Sequence, residues 1–367
     1  MNNLTLGFIG LGLIGGSIAK AIKENIPAIR ITAFDVNEES ITLALSEGIV
    51  DERANAIDEA FSSCDYIFLC APVQKNAENL IQIKNIMKSS CILTDVGSVK
   101  TDIHKHIVEL DMESCFIGGH PMAGSERFGY VNSKASLLEN AYYILTPNSK
   151  TNEARLAELR ALIEKTGAIP LILDYQKHDY ITAAISHLPH VIAASLVNLV
   201  RDSDSEEGTM KMVAAGGFKD ITRIASSSAT MWQQICLTNT ENISKLLGDY
   251  ITSLQNIKAQ LDARDKDELY QLFDSARIYR DSFANNSSGP IKVSYTINVD
   301  ITDETGALAA IATLLALKQI SIKNMGIVHN REVESGVLKI EFYDEAGMKN
   351  ASETLRQRGY TIYEKKL

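Results

Sequence analysis

Four of the seven histidines, His120, His178, His187 and His190, fall between positions 120 and 190. Imidazole near its ordinary pKa accepts a proton at neutral pH, so such a cluster suits removal of a proton from a hydroxyl. His120 lies in Gly118-Gly-His-Pro-Met-Ala-Gly124, just past the end of an apolar run that reads as a strand. Ligands of open α/β sheets bind outside the carboxyl ends of strands, which is where a base belongs. The alternative is a loop histidine bonded to backbone. His187-Leu-Pro-His190 sets two imidazoles three positions apart, able to share one helix face. Pro189 should kink that helix and free a carbonyl. His178 reads equally well as a surface residue. No HExxH or cysteine–histidine set completes a metal site, and none is expected. Asp95-Val-Gly97-Ser98-Val-Lys100 follows another strand. Ser98 reads as the N-cap of a helix over 99–110, a position that can also face the same crevice. Arg223, ending Gly216-Gly-Phe-Lys-Asp220-Ile-Thr-Arg223, is a candidate fork for a carboxylate. An ion pair with Asp220 or Glu126 is the equal alternative.

A second constellation points to a dinucleotide. Gly10-Leu-Gly12-Leu-Ile-Gly15-Gly16 is a G-x-G-x-x-G turn between a strand and a helix. Gly10 permits the tight turn, Gly12 a close approach to a pyrophosphate, and Gly15 close packing of helix on strand. The helix N-terminus then offers free N–H groups to phosphate. Asp35 ends the next strand, twenty residues after Gly15. A carboxylate there binds both ribose hydroxyls of NAD and repels the 2′-phosphate of NADP, and the following Val36-Asn37 supplies no arginine. The expected cofactor is NAD.

These residues need a framework. Up to about 173, short β-rich runs (4–9, 29–34, 66–70, 91–94, 115–117, 142–145, 169–173) alternate with helical patterns (17–24, 38–46, 76–87, 152–165). That alternation reads as a Rossmann-type, mostly parallel sheet covered on both faces. From 174 to 288 the pattern is helical; in its first stretch, 178–200, apolar residues are dense around most of the helix, which implies burial in a bundle or against another subunit. Asn285-Asn-Ser-Ser-Gly289 and Pro290 look like a linker. Residues 291–367 read β-α-β-β-α-β, a small ferredoxin-like domain. Three domains are therefore expected: 1–173, 174–288 and 291–367.

Composition narrows the classes of function. Of 367 residues, 45% are hydrophobic and 22% charged, with a formal net charge of −10. No segment has the basic footprint that phosphate-backbone binding requires, so nucleic acid is not expected as a partner. The five cysteines form no CxxC pair, which argues against a disulfide framework or zinc ribbon. The N-terminus lacks the basic region of a signal peptide. No stretch approaches the ~18 uninterrupted apolar residues of a membrane helix; the nearest, 181–200, holds serine, two histidines, proline and asparagine. A cytoplasmic protein with no membrane partner is expected.

Taken together, the glycine turn with Asp35, Asp-Val-Gly-Ser-Val-Lys100, Gly-His-Pro-Met-Ala-Gly-Ser-Glu126, Ser-His-Leu-Pro-His190, Gly-Gly-Phe-Lys-Asp-Ile-Thr-Arg223 and Met231-Trp232 resemble the prephenate dehydrogenases of bacterial tyrosine biosynthesis. The tail, with Asp303-Glu-Thr-Gly306-Ala-Leu308, resembles an ACT regulatory domain. The chain departs from the family pattern where Ala215 and Lys219 replace a frequent glycine and arginine, and where Ala229-Thr230 replaces Asp-Pro. The resemblance implies NAD-dependent oxidative decarboxylation of prephenate to 4-hydroxyphenylpyruvate. His120 would take the hydroxyl proton and Ser98 would orient that hydroxyl. His190 and Arg223 would engage the substrate, with Glu126 gating through a charge pair with Arg223. It further implies substrate contacts at His187, Gly216 and Trp232, and cofactor contacts at Gly10, Gly12, Leu13, Ile14, Gly15, Asp35, Ala71, Pro72 and Ser98. The helical region would form a homodimer. The tail would bind L-tyrosine as feedback inhibitor at Asp303, Gly306, Ala307, Leu308 and Asn324. Rival readings are an arogenate dehydrogenase, a β-hydroxyacid dehydrogenase (which would use a lysine as acid/base), and a non-catalytic amino-acid sensor on an NAD-binding scaffold.

Overall fold

The computed structural model describes residues 4–124, 127–283, 295–301, 306–328 and 336–364. They form two compact units, Met1–Ala259 and Gln260–Leu367.

The first unit opens on β1 (Thr5–Ile9), α1 (Leu13–Asn25), β2 (Arg30–Phe34), α2 (Glu38–Ser46), β3 (Glu52–Arg53), β4 (Tyr66–Leu69), α3 (Asn76–Lys84), β5 (Ile92–Asp95) and α4 (Thr101–Glu109). The five strands make one parallel sheet in the order β3-β2-β1-β4-β5. Side chains alternate across it, as the period of two requires. Leu6, Phe8, Ile31, Tyr66, Phe68 and Ile92 enter one core, and Ile9, Ile67, Leu69 and Leu93 the other. Both faces are thus apolar, which explains why these strands read as continuous hydrophobic runs. Because every strand runs the same way, Gly10, Asp35, Ala71 and Val96 emerge along one edge.

Beyond α4 the chain makes β6 (Gly118–Pro121), β7 (Tyr142–Thr146), α5 (Glu153–Glu164) and β8 (Ile169–Ile172), a second sheet in the order β6-β7-β8. β6 runs antiparallel to β7. The strand expected over 115–117 is only a single bridge, Leu93 to Phe116, and regular pairing begins three residues later than the apolar pattern suggests. His120 therefore lies inside a strand, opposite Ile144, and not beyond its end.

The helical region comprises α6 (Tyr175–Thr182), a π turn (Ala183–His187), α7 (Leu188–Ser203), α8 (Thr209–Val213), α9 (Gly216–Thr222), α10 (Ala229–Thr238) and α11 (Thr240–Ala263). The expected disturbance near Pro189 takes the form of this π turn, which lengthens the helix without breaking it. Tyr175–Ser203 is one helix of 29 residues, long and apolar enough by length and composition to cross a membrane, yet only 17% of its apolar window is buried within the chain. Expecting no such candidate underestimated how far the helix runs through its polar residues. Ile185, Leu199, Met212, Val213, Ile221 and Leu237 are all exposed.

The second unit holds α12 (Lys266–Ser282), β9 (Tyr295–Ile301), α13 (Ala307–Leu317), β10 (Ile322–Val328), β11 (Gly336–Phe342), α14 (Glu345–Arg356) and β12 (Ile362–Glu364). Its antiparallel sheet runs β10-β11-β9-β12. Ile297, Val299, Leu338 and Ile340 pack against Ile311, Leu315, Ala351 and Leu355 of the two helices. The expected βαββαβ order is present.

Candidate active site

The glycine turn is built for a phosphate-bearing ligand. Gly10 has φ +95°, and a Cβ there would lie 2.6 Å from the backbone nitrogen of Ala71. At Gly12, by contrast, a side chain would meet no atom of the described residues within 4 Å, so the turn is open where a pyrophosphate must approach. α1 begins at Leu13 with no side-chain cap, leaving its first N–H groups to a ligand. Asp35 accepts the N–H groups of Leu11 and Asn37, which aims its carboxylate at the same turn. Leu13 and Ile14 form the first turn of α1, and Ala71 and Pro72 follow β4 on the adjacent edge. These residues fit a dinucleotide.

Ser98 lies past the end of β5. It does not cap the following helix: the cap position falls on Lys100, and the helix starts at Thr101. The end is closed instead by Asp179 of α6, whose carboxylate accepts Lys100 N–H at 2.8 Å and Thr101 N–H at 2.7 Å. The Ser98 hydroxyl is thereby released from capping duty.

The same Asp179 anchors a chain of hydrogen bonds, buried at His178 and part-buried at His120. Its Oδ1 is 2.8 Å from His178 Nδ1, and His178 Nε2 is 2.8 Å from His120 Nδ1. A carboxylate can only accept, so Nδ1 of His178 carries its proton and Nε2 is the lone pair. His120 must then donate from Nδ1, which leaves its own Nε2 unprotonated. Asp179 and His178 are 1% and 0% exposed. Burial pushes the Asp179 carboxyl up, but the bonds from His178, Thr101 and Lys100 outweigh it and hold the group below the usual carboxylate range. Burial, followed by the charges of His178, Lys100 and His187, holds His120 well below the usual imidazole value. His120 is therefore a neutral imidazole whose unprotonated nitrogen is defined by two residues behind it.

His190 stacks on Trp232 at 3.7 Å between ring centres, and its Nδ1 donates to Ser186 C=O at 2.8 Å. Burial and then the nearby Arg223 charge lower its proton affinity. Arg223, exposed at the end of α9, is thus close enough to act on His190. His187 is 1% exposed, lies edge-on to Trp232, and accepts from Asn239 Nδ2 at 3.2 Å. It stands in the wall behind His190. Burial lowers His187 to about 4. Gly216 is exposed and opens α9. The Trp232 indole nitrogen is buried without a hydrogen-bond partner among the described residues. Glu126 and Asp303 lie outside the described residues. In the second unit Gly306 has φ +93° and precedes Ala307 and Leu308 at the start of α13, while Asn324 is an exposed residue of β10.

The structure thus joins His120 to His178, left open in the sequence, and to Asp179, which no motif indicated. The signal was adjacency: Asp179 follows His178 directly. Asp95 and Lys100 were read only as the setting of Ser98, yet they form a fully buried ion pair. A charge ending the apolar strand Ile92–Asp95 was the available sign.

Comparison with known proteins is consistent across sequence and structure. Residues 18–171 match the family model "Prephenate dehydrogenase, nucleotide-binding domain", and residues 174–275 match "Prephenate dehydrogenase, dimerization domain". The prephenate dehydrogenase of Bacillus subtilis is 36% identical over 356 residues, 96% of each chain. The crystal structure of the Aquifex aeolicus prephenate dehydrogenase with hydroxyphenyl propionate and NAD+ superposes with a TM-score of 0.73 at 33% identity, covering 76% of this chain and 98% of that one. The Synechocystis arogenate dehydrogenase gives a TM-score of 0.69 at 28% identity, covering 76% and 100%.

Proposed function

This chain belongs to the prephenate dehydrogenase family, and from that premise we propose how its residues carry out the NAD-dependent oxidative decarboxylation of prephenate to 4-hydroxyphenylpyruvate. The reaction converts prephenate and NAD+ to 4-hydroxyphenylpyruvate, CO2 and NADH. NAD+, bound at the glycine turn with its ribose on Asp35, supplies the hydride acceptor. His120 takes the proton of the ring hydroxyl at Nε2 as the hydride leaves that carbon, Ser98 orients the hydroxyl, and His120 returns the proton to the ring oxygen once the ring carboxylate has departed as CO2. The positive charge that develops on His120 is shared through His178 with the Asp179 carboxylate, inside a dry wall where such charge is strongly felt. Arg223 engages a substrate carboxylate, His190 meets a polar group of the substrate with its Nε2 lone pair, and the Trp232 ring backs His190. Aromatisation of the ring makes the overall step downhill, so the side chains need supply only placement and charge complementarity.

The observation that carries this reading is the His120–His178–Asp179 chain, which leaves one defined nitrogen free to accept a proton. The test is NADH formation with prephenate and arogenate compared side by side. Rapid reduction with prephenate is expected; reduction only with arogenate moves the substrate, and reduction with neither removes the enzymatic reading in favour of a sensor.

The same reading extends to organisation. Division at 1–173, 174–288 and 291–367 is supported by the limits of the two matched family models and by the separate core of the second unit. The exposed apolar face of α6–α11 supports pairing into a homodimer, and the chain acts in the cytoplasm with no membrane or nucleic-acid partner. L-tyrosine is the proposed effector of the βαββαβ tail, entering beside the left-handed Gly306. Titration calorimetry tests this: binding of L-tyrosine with loss of turnover is expected, and no heat at millimolar concentration refutes it.

A further inference from the structure

We propose that the buried Asp95–Lys100 pair is a positioning element that sets the spacing between the Ser98 loop and the His120 strand. The proposal rests on the roles given above to Ser98 and His120. Both members of the pair are 0% exposed. One carboxylate serves two segments: Asp95 Oδ2 accepts Gly97 N–H at 2.9 Å together with the Lys100 ammonium, and Oδ1 accepts Gly119 N–H at 3.0 Å. Lys100 Nζ also donates to Gly119 C=O at 2.6 Å. Gly97 is the residue before Ser98, and Gly119 the residue before His120. Each candidate group thus hangs one peptide beyond a tether to the same pair.

Strand geometry explains why a charged pair is used. Met122 N–H donates to Tyr142 C=O, so even-numbered residues of β6 bond to β7, and Gly119 turns its own N–H and C=O away from that strand. Both would be orphaned in the interior without the pair. A carboxylate facing an N–H and an ammonium facing a C=O satisfy them together. The missing side chain at Gly119 is what admits this approach, since a Cβ there would lie 2.5 Å from the Asp95 carbonyl oxygen. The backbone N–H of Lys100 donates to Asp179, so the residue that grips the His120 strand also grips the anchor of His178.

A pair that serves only folding leaves the kcat of the folded enzyme intact when it is replaced by uncharged residues of similar volume, whereas a positioning pair cannot be replaced without loss of rate. The decisive variant is therefore the double substitution Asp95→Asn/Lys100→Met. It is expected to lower the thermal midpoint, because Gly119 C=O loses its donor, and to keep KM for prephenate within about threefold, while kcat of the folded variant falls on the order of 10²-fold, the penalty of a misplaced reacting group. Retention of wild-type kcat, or a loss wholly accounted for by a raised KM, overturns the proposal. A crystal structure of the wild-type NAD+ complex decides the matter even if the variant does not fold. Lys100 Nζ must stay within hydrogen-bond distance of Gly119 C=O, and an ammonium turned away from that carbonyl refutes the tether. Failure of the wild type to oxidise prephenate would strike the functional reading instead, leaving the crystallographic result to judge the pair.

Discussion

Asp179→Asn is the sharpest probe of the site, because it changes one atom and inverts a chain of protons. In the wild type the carboxylate accepts from His178 Nδ1 at 2.8 Å and from the Lys100 and Thr101 N–H groups at 2.8 and 2.7 Å. An amide keeps one acceptor: with its oxygen on Thr101 N–H, its NH2 takes the place of Oδ1, where it faces His178 Nδ1 and can no longer accept the Lys100 N–H. His178 must then hold its proton on Nε2 and donate to His120 Nδ1, which moves the His120 proton to Nε2, the nitrogen that should be free. Loss of a general base costs about 10²–10⁴ in rate, so kcat should fall within that range while KM for prephenate changes little. Replacing a charged acceptor at two backbone N–H groups and a helix end should also cost about 2 kcal/mol of stability. Steady-state NADH formation measures the first effect and thermal denaturation the second. Nitrogen-15 shifts of the imidazoles report the tautomer directly. Turnover within threefold of wild type, or an unchanged His120 tautomer, would refute the reasoning.

Other expectations follow from the same geometry. His120→Asn should lower kcat about 10²–10⁴-fold and leave NAD+ affinity unchanged; near-normal turnover would exclude His120 as the base. Asp35→Ala should weaken NAD+ binding by roughly 10–100-fold, the worth of charge-assisted bonds, and narrow the preference over NADP+; calorimetry with both cofactors checks it. Burial lowers His104 and His187 to about 4, both nearly inaccessible at 3% and 1% exposed. Their folded-state proton affinity lies below the unfolded value, so the unfolded chain binds protons first, and their contribution is intact above about 6.5 and lost as pH falls towards 4. The cost is on the order of 3 kcal/mol for each at pH 4. The thermal midpoint should therefore drop steeply across that window, and a flat profile would contradict neutral burial of these two imidazoles.

Much of this was legible in the residues themselves. Strands buried on both faces announce themselves as apolar runs, and the Gly10–Gly15 turn with Asp35 is local in sequence, so the parallel sheet and the cofactor edge could be read directly. The βαββαβ order of the tail was equally plain from its alternation. The strand carrying His120 was not, because Gly118-Gly-His-Pro has poor strand propensity and is held by partners rather than by preference. The role of Asp179 was hidden for another reason: its bonds reach back 79 and 78 residues to Lys100 and Thr101, and no spacing rule spans such a distance. Ser98 illustrates the converse error. A serine shortly before a helix is a sound local expectation for a cap, and a carboxylate from a remote helix took the position.

The long apolar helix Tyr175–Ser203 carries a consequence for how the protein behaves at low abundance. A lone subunit would display that surface to water, so its folded form draws stability from mass action as well as from its own interior. Specific activity should decline on dilution, and freshly synthesised chains should be most prone to aggregate before they meet a second copy. Resistance to heat is then a property of how much protein is present.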